Sequence, residues 1–144
     1  MSDRFQLRIV TPARFVLDEE VREVTAPGTA GEFGVLPDHT TFLSSLEIGA
    51  LRYRTDRAVR AVAIRGGFAE VNRNVMTVLA DAAEFADEVD AVRAEHELRD
   101  AGTRLTRLSP IEDEYTLVDA ERRWAEVRLD IARKQHEQVL AAHT

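Results

Sequence analysis

Near Asp87 the chain changes character. Before that point, short runs alternate apolar and polar residues between glycine- and proline-bearing turns; after it, apolar residues recur at steps of three and four with no strand pattern. Strict alternation belongs to strands with one buried face, and the longer period belongs to amphipathic helices. The break therefore predicts an α+β chain of two modules. Residues 1–86 should form an antiparallel β-sandwich or flattened barrel, and residues 87–144 an α-helical hairpin. A rigid β platform carrying a helical arm suits mechanical or regulatory work.

In the first module Phe5, Leu7 and Ile9 alternate with Gln6 and Arg8, and Thr11-Pro12 ends the run. Further strands are expected at residues 14–17, 21–26, 51–54, 59–65, 68–71 and 75–79, a close spacing that fits a sandwich or barrel. The turns between them fall at Pro27-Gly28, Thr55-Asp56, Gly66-Gly67 and Asn72-Arg73-Asn74. Each supplies a residue tolerant of positive φ or a side chain that closes its own turn.

The second module carries one apolar stripe through Ala91, Ala94, Leu98, Ala101, Leu105 and Leu108, and another through Leu117, Ala120, Trp124, Val127 and Ile131. Between them, Ser109-Pro110-Ile111-Glu112 reads as a helix start, with serine as cap, proline at the first helical position and glutamate reaching back. Half of the first stripe is alanine, which buries far less area than leucine. The hairpin is thus expected to be held modestly, free either to lie on the β module or to leave it. Gly102, costing about 1 kcal/mol against alanine, weakens the first helix further.

Composition removes several functions. Residues 1–86 hold 12 acids against 10 bases and residues 87–144 hold 14 against 9, so neither half is a cationic patch and nucleic acid is not the expected partner. With no cysteine, thiolate catalysis and cysteine zinc sites are excluded. The sole lysine, Lys134, belongs to no phosphate-binding loop. His96-Glu97 and His136-Glu137 are followed by Asp100 and Leu140 where an H-E-x-x-H zinc site needs its second histidine. No catalytic residue and no metal site is expected. No apolar run is long enough to span a bilayer, and the N-terminal residues show no apolar signal core, so any membrane link should go through a partner. A free-standing β-sandwich binding module with a helical lid remains the alternative on these grounds.

The most distinctive segment is Gly31-Glu32-Phe33-Gly34-Val35-Leu36-Pro37-Asp38-His39, followed by Gly66-Gly67-Phe68-Ala69-Glu70-Val71 and then Val75-Met76-Thr77-Val78-Leu79-Ala80-Asp81. These motifs, in this order, resemble the epsilon subunit of F-type ATP synthases, and the sandwich-then-hairpin layout extends the likeness over nearly the whole chain. The resemblance implies a non-catalytic rotor subunit of the central stalk, coupling ion translocation to ATP synthesis. Its partners would be the gamma subunit, the c-ring and the catalytic beta subunits. It would sit at the cytoplasmic face of the bacterial inner membrane, peripheral through the complex. The family's roles would place Glu32 and His39 in a loop facing the c-ring.

The family's hairpin can also extend along gamma and block rotation in the hydrolysing direction. There it meets acidic beta segments, for which Arg104, Arg107, Arg122, Arg123 and Arg128 are the available cations. No cofactor is required, but some members bind ATP as a regulatory ligand through an I/L-D-x-x-R-A motif. Here that motif reads Val89-Asp90-Ala91-Val92-Arg93-Ala94, which nominates Asp90, Arg93 and Ala94, with Arg128 as a further contact. Asp100 and Trp124 stand where nucleotide-binding members carry additional arginines.

Overall fold

Phe5, Leu7 and Ile9 are buried to 3%, 0% and 0% exposure in β1 (Phe5–Val10), as the alternation requires. The computed structural model describes the backbone of residues 3–142 and the side chains of residues 3–138. They group into two compact units, Met1–Ala83 and Glu84–Thr144. In the first unit β1 is followed by β2 (Phe15–Val21), β3 (Glu23–Gly28), β4 (Gly31–Val35), β5 (Phe42–Arg54), β6 (Val59–Asn72) and β7 (Val75–Ala80). Their order across the sheet is β2-β1-β7-β6-β5-β3-β4. Neighbours are antiparallel except β1 and β7, which run parallel.

Two long strands make this sheet a sandwich. β5 and β6 keep one register from Phe42 opposite Val71 to Arg54 opposite Val59, interrupted at Glu47 and Gly66. Beyond the interruption the C-terminal part of β6 pairs with β7, from Gly67 opposite Ala80 to Asn72 opposite Val75. The C-terminal part of β5 pairs instead with β3, at Arg52, Tyr53 and Arg54. The pair of strands thus passes from one layer to the other. Leu7, Ile9, Val24, Leu51, Val62, Ile64, Met76 and Val78 are 0% exposed in the resulting core.

Gly66-Gly67, expected as a turn, instead lies inside β6. Both glycines have positive φ, +68° and +112°, so they bend the strand without ending it. A Cβ on Gly67 would stand 2.0 Å from the Leu79 carbonyl oxygen, so the approach of β7 itself demands glycine there. Pro27-Gly28 is likewise the end of β3, and the tight turn is residues 29–30. At Arg73 and Asn74, by contrast, the expected turn is present, with φ of +51° and +62° between paired Asn72 and Val75.

β8 (Ala83–Phe85) spans the boundary between the units. The second unit continues with a 3-10 turn (Ala86–Glu88), α1 (Ala91–Leu105) and α2 (Asp113–Ala142). Asp90 caps α1, its carboxylate accepting the Arg93 N–H at 3.1 Å. Of the expected α1 stripe, Ala94 and Ala101, seven residues apart, are buried, Leu98 and Leu105 are half-buried, and Ala91 is exposed. α1 stops at Leu105, short of the expected Leu108, where the chain tightens into a turn with the Leu108 N–H bonded to the Leu105 carbonyl.

In the connection, Glu112 does reach back, its Oε2 accepting the Ser109 N–H at 2.6 Å. Pro110 nevertheless lies outside the helix, because α2 begins at Asp113. The buried stripe of α2 is Val118, Ala125, Leu129 and Ile131, while Leu117 is 67% exposed. This stripe is rotated by about one residue from the expected one. Small residues at heptad spacing, Ala94 with Ala101 and Val118 with Ala125, are buried alongside Leu129 and Ile131, and Leu117 is displaced outward. No helix among the described residues is long and apolar enough to cross a membrane. No group of histidine, aspartate or glutamate among them is placed to hold a metal ion.

Candidate functional site

The segment from Gly31 to His39, expected as one loop, is a strand followed by a turn. Glu32 lies exposed on β4, which ends the strand order and so forms an edge of the sheet, opposite Pro27 of β3. A carboxylate on an edge strand discourages further strand pairing. His39 lies past the other end of β4, so the structure does not bring Glu32 and His39 together.

The turn before His39 is closed by its N–H donating to the Leu36 carbonyl at 3.2 Å, with Asp38 at φ +62°. The His39 ring is held locally: Nδ1 lies 2.8 Å from the Thr40 carbonyl oxygen, and the ring packs edge-on to Phe42 at 5.8 Å between centroids. Phe42 packs in turn against Phe33 at 5.0 Å. With Nδ1 against a carbonyl, that nitrogen carries the proton.

In the second unit the motif residues Asp90, Arg93 and Ala94 divide their work. Asp90 is committed to the helix cap, and Ala94 is buried in the α1 stripe. Arg93 is exposed, and its Nε donates to Glu97 Oε1 at 3.0 Å, one turn along the same helix. The other oxygen of Glu97 accepts from Arg128 Nη1 of α2 at 2.8 Å. Glu97, unremarked in the sequence except beside His96, therefore joins the two arginines.

Arg128 is 6% exposed and is the structural centre of this network. Its Nε lies 3.2 Å from Glu84 Oε2, an ion pair off the N–H axis that leaves the N–H without a hydrogen-bond acceptor. Its guanidinium carbon stands 5.6 Å from the centre of the Trp124 ring, within cation–π range. The two carboxylates respond in opposite directions. The hydrogen bond from Arg128 holds Glu97 below the usual carboxylate range, against a smaller effect of burial. Burial pushes Glu84 above that range, and the nearby Arg128 charge offsets only part of it. Arg128 thus forms a well-directed bond with one acid and merely stands beside the other. An open groove of about 540 Å³ in this unit is lined by Val89, Ala91, Glu95, Ala132, Arg133 and His136. Neither Arg93 nor Arg128 is among its lining residues.

The remaining candidate arginines are distributed along the hairpin. Arg104 bridges to Glu121 at 2.9 Å, with Glu114 at 3.8 Å and Asp100 at 3.9 Å. Arg122 pairs with Asp119 and Glu126, each at 2.8 Å, and the hydrogen bond to Asp119 raises its already high pKa. Arg107 is exposed in the turn after α1, and Arg123 is partly exposed on α2. Glu84 had no sequence signal. Glu97 had one, its place four residues after Arg93 on a helix.

Residues 4–86 match the family model described as the β-sandwich domain of the ATP synthase delta/epsilon chain. The ATP synthase epsilon chain of Syntrophobacter fumaroxidans is 47% identical over 136 residues, covering 93% of this chain and 99% of that one. That of Citrifermentans bemidjiense is 42% identical over 134 residues, covering 93% and 97%. A chain of the Euglena gracilis mitochondrial ATP synthase, solved as an OSCP/F1/c-ring assembly, superposes with a TM-score of 0.68 at 25% identity over 96% of this chain and 83% of that one. A chain of the Tetrahymena thermophila central stalk and c-ring shares the fold, with a TM-score of 0.59 at 15% identity over 88% and 95%. By the domain match and by identity across nearly its whole length, the chain belongs to the ATP synthase epsilon chain family.

Proposed function

We propose that this chain is a non-catalytic rotor subunit of the ATP synthase central stalk, linking gamma to the c-ring so that ion flow is coupled to ATP synthesis. Its helical hairpin restrains ATP hydrolysis. The observation that carries the reading is the pairing of a β-sandwich unit with a two-helix unit that forms a compact body of its own. A sandwich with a rigid core suits torque transmission, and a hairpin that is a compact unit of its own suits a brake with two positions, each needing its own contacts. Glu32 on the edge strand is the proposed contact with the c-ring, and His39 shapes the turn that follows. Arg104, Arg107, Arg122 and Arg123 are the proposed contacts with acidic segments of beta. The complex holds the chain peripherally at the cytoplasmic face of the bacterial inner membrane.

ATP is the proposed regulatory ligand of the hairpin, met by Arg93 and Arg128. It would compete with Glu97, which already engages both arginines. The test is hydrolysis by an ATP synthase complex depleted of its own epsilon subunit. Adding the full chain should lower the hydrolysis rate, and a chain ending at Glu88 should bind without lowering it. Equal rates with the full and shortened chains would remove the brake from this account.

A further inference from the structure

Asn74 closes the β6–β7 hairpin, and its backbone is explained by that duty. Both central residues of this two-residue turn need positive φ, and asparagine tolerates it. The turn asks nothing of the side chain, yet both polar atoms of the Asn74 side-chain amide are bonded. Its Oδ1 accepts the Asp38 N–H at 2.8 Å, and its Nδ2 donates to the Arg4 carbonyl at 2.8 Å. Its own carbonyl accepts the Gln6 N–H at 3.1 Å. A single half-buried side chain therefore ties the residue 36–39 turn to the chain entering β1. The amide orientation is fixed as well, since a backbone N–H faces one end and a backbone carbonyl the other.

The turn it holds is closed by the His39 N–H to Leu36 bond and keeps Asp38 at φ +62°, in the sparsely populated left-handed region. Leu36, 57% exposed, is displayed by this turn, and His39 leaves it to pack on Phe42. We infer that Asn74 is a positioning residue whose side-chain amide fixes the Leu36–His39 turn in the one arrangement that the c-ring, the proposed partner of the Glu32–His39 segment, meets. The inference rests on the rotor reading above. Asparagine is the residue the geometry asks for: aspartate keeps the acceptor for Asp38 but turns a carboxylate toward the Arg4 carbonyl, and glycine keeps the turn while losing both bonds.

The test uses the full chain carrying Asn74→Gly or Asn74→Asp, titrated onto an ATP synthase complex depleted of its own epsilon subunit, together with hydrogen exchange at the Asp38 amide. With Asn74→Gly the β6–β7 turn should survive and thermal unfolding should stay cooperative. The Asp38 amide should exchange about 10-fold faster or more, and assembly should weaken by about 10-fold. Asn74→Asp should restore much of the Asp38 protection and a corresponding part of the assembly. Parental assembly by Asn74→Gly overturns the inference alone, as does a loss of assembly that only follows loss of folding. Failure of the parent chain to assemble removes the rotor reading and this inference with it.

Discussion

Arg128 of α2 and Glu97 of α1 are joined across the hairpin by a 2.8 Å charge-assisted hydrogen bond, with Arg128 nearly enclosed and Glu97 38% exposed. Removing one partner of a buried ion pair leaves the other charge desolvated, which costs more than the pair itself contributes. Because Glu97 is partly in water and Glu84 stays near, Glu97→Ala should destabilise the hairpin by about 1–3 kcal/mol, below the range for fully buried pairs. Trp124, the only tryptophan, stands beside Arg128, so its fluorescence during denaturation reads this directly. An unchanged midpoint would show that the bond contributes nothing net.

The same network fixes a pH response with two limbs. Glu97 has its pKa depressed, chiefly by the Arg128 hydrogen bond, so its stabilisation is present above the ordinary carboxylate range and is lost as pH falls through its lowered value. Glu84 has its pKa raised by burial, so its ionised form opposes folding and that penalty disappears as pH falls below its raised value. From neutral pH downward, hairpin stability should first rise slightly and then fall. Thermal midpoints between about pH 8 and about pH 3 should show this, with Glu84→Gln flattening the first limb and Glu97→Gln the second. A monotonic profile in the parent would contradict the opposite signs.

Nucleotide binding should be weak. Arg93 and Arg128 are already bonded to Glu97, so a phosphate must displace a carboxylate before it gains their charge. Magnesium ATP should bind the parent with a Kd near or above about 1 mM, and Glu97→Gln should tighten it about 10-fold. Calorimetric titration of both proteins decides the matter, and equal affinities would show that Glu97 does not compete.

In the sandwich, Gly67→Ala should be severe. The added methyl would meet the Leu79 carbonyl oxygen at 2.0 Å, and φ of +112° is closed to alanine. A loss of about 2–4 kcal/mol in urea unfolding is expected. Gly102→Ala is the control, because nothing lies within 4 Å of its Cβ and the helix should gain up to about 1 kcal/mol.

The β1 and β7 strands were legible because a two-residue period survives in them almost undiluted, and α1 was legible through Ala94 and Ala101, one heptad apart, although Ala91 of the same stripe is exposed. Residues 42–50 of β5 were not, because Ser44, Ser45, Glu47 and Gly49 break the apolar run in a strand shared between two layers. Gly66-Gly67 looked like a turn because glycine marks positive φ without saying whether the chain reverses or merely bends. The expected α2 stripe and the buried one share Ile131 and differ elsewhere, because Leu117, Trp124 and Val127 and the neighbouring Val118, Ala125 and Leu129 are both apolar sets at helical spacing, and periodicity alone does not choose between them. Arg93 and Arg128 stood out by motif, whereas Glu84 and Asn74 act on residues 44 and 36 positions away respectively, and no local spacing encodes that.

The central claim is that this chain assembles as a stalk subunit. Its most direct test is co-elution of the purified chain with the epsilon-depleted catalytic head, containing gamma, from the same organism. The account predicts one chain bound per head, retained through gel filtration. Correctly folded chain and head that elute apart would contradict it.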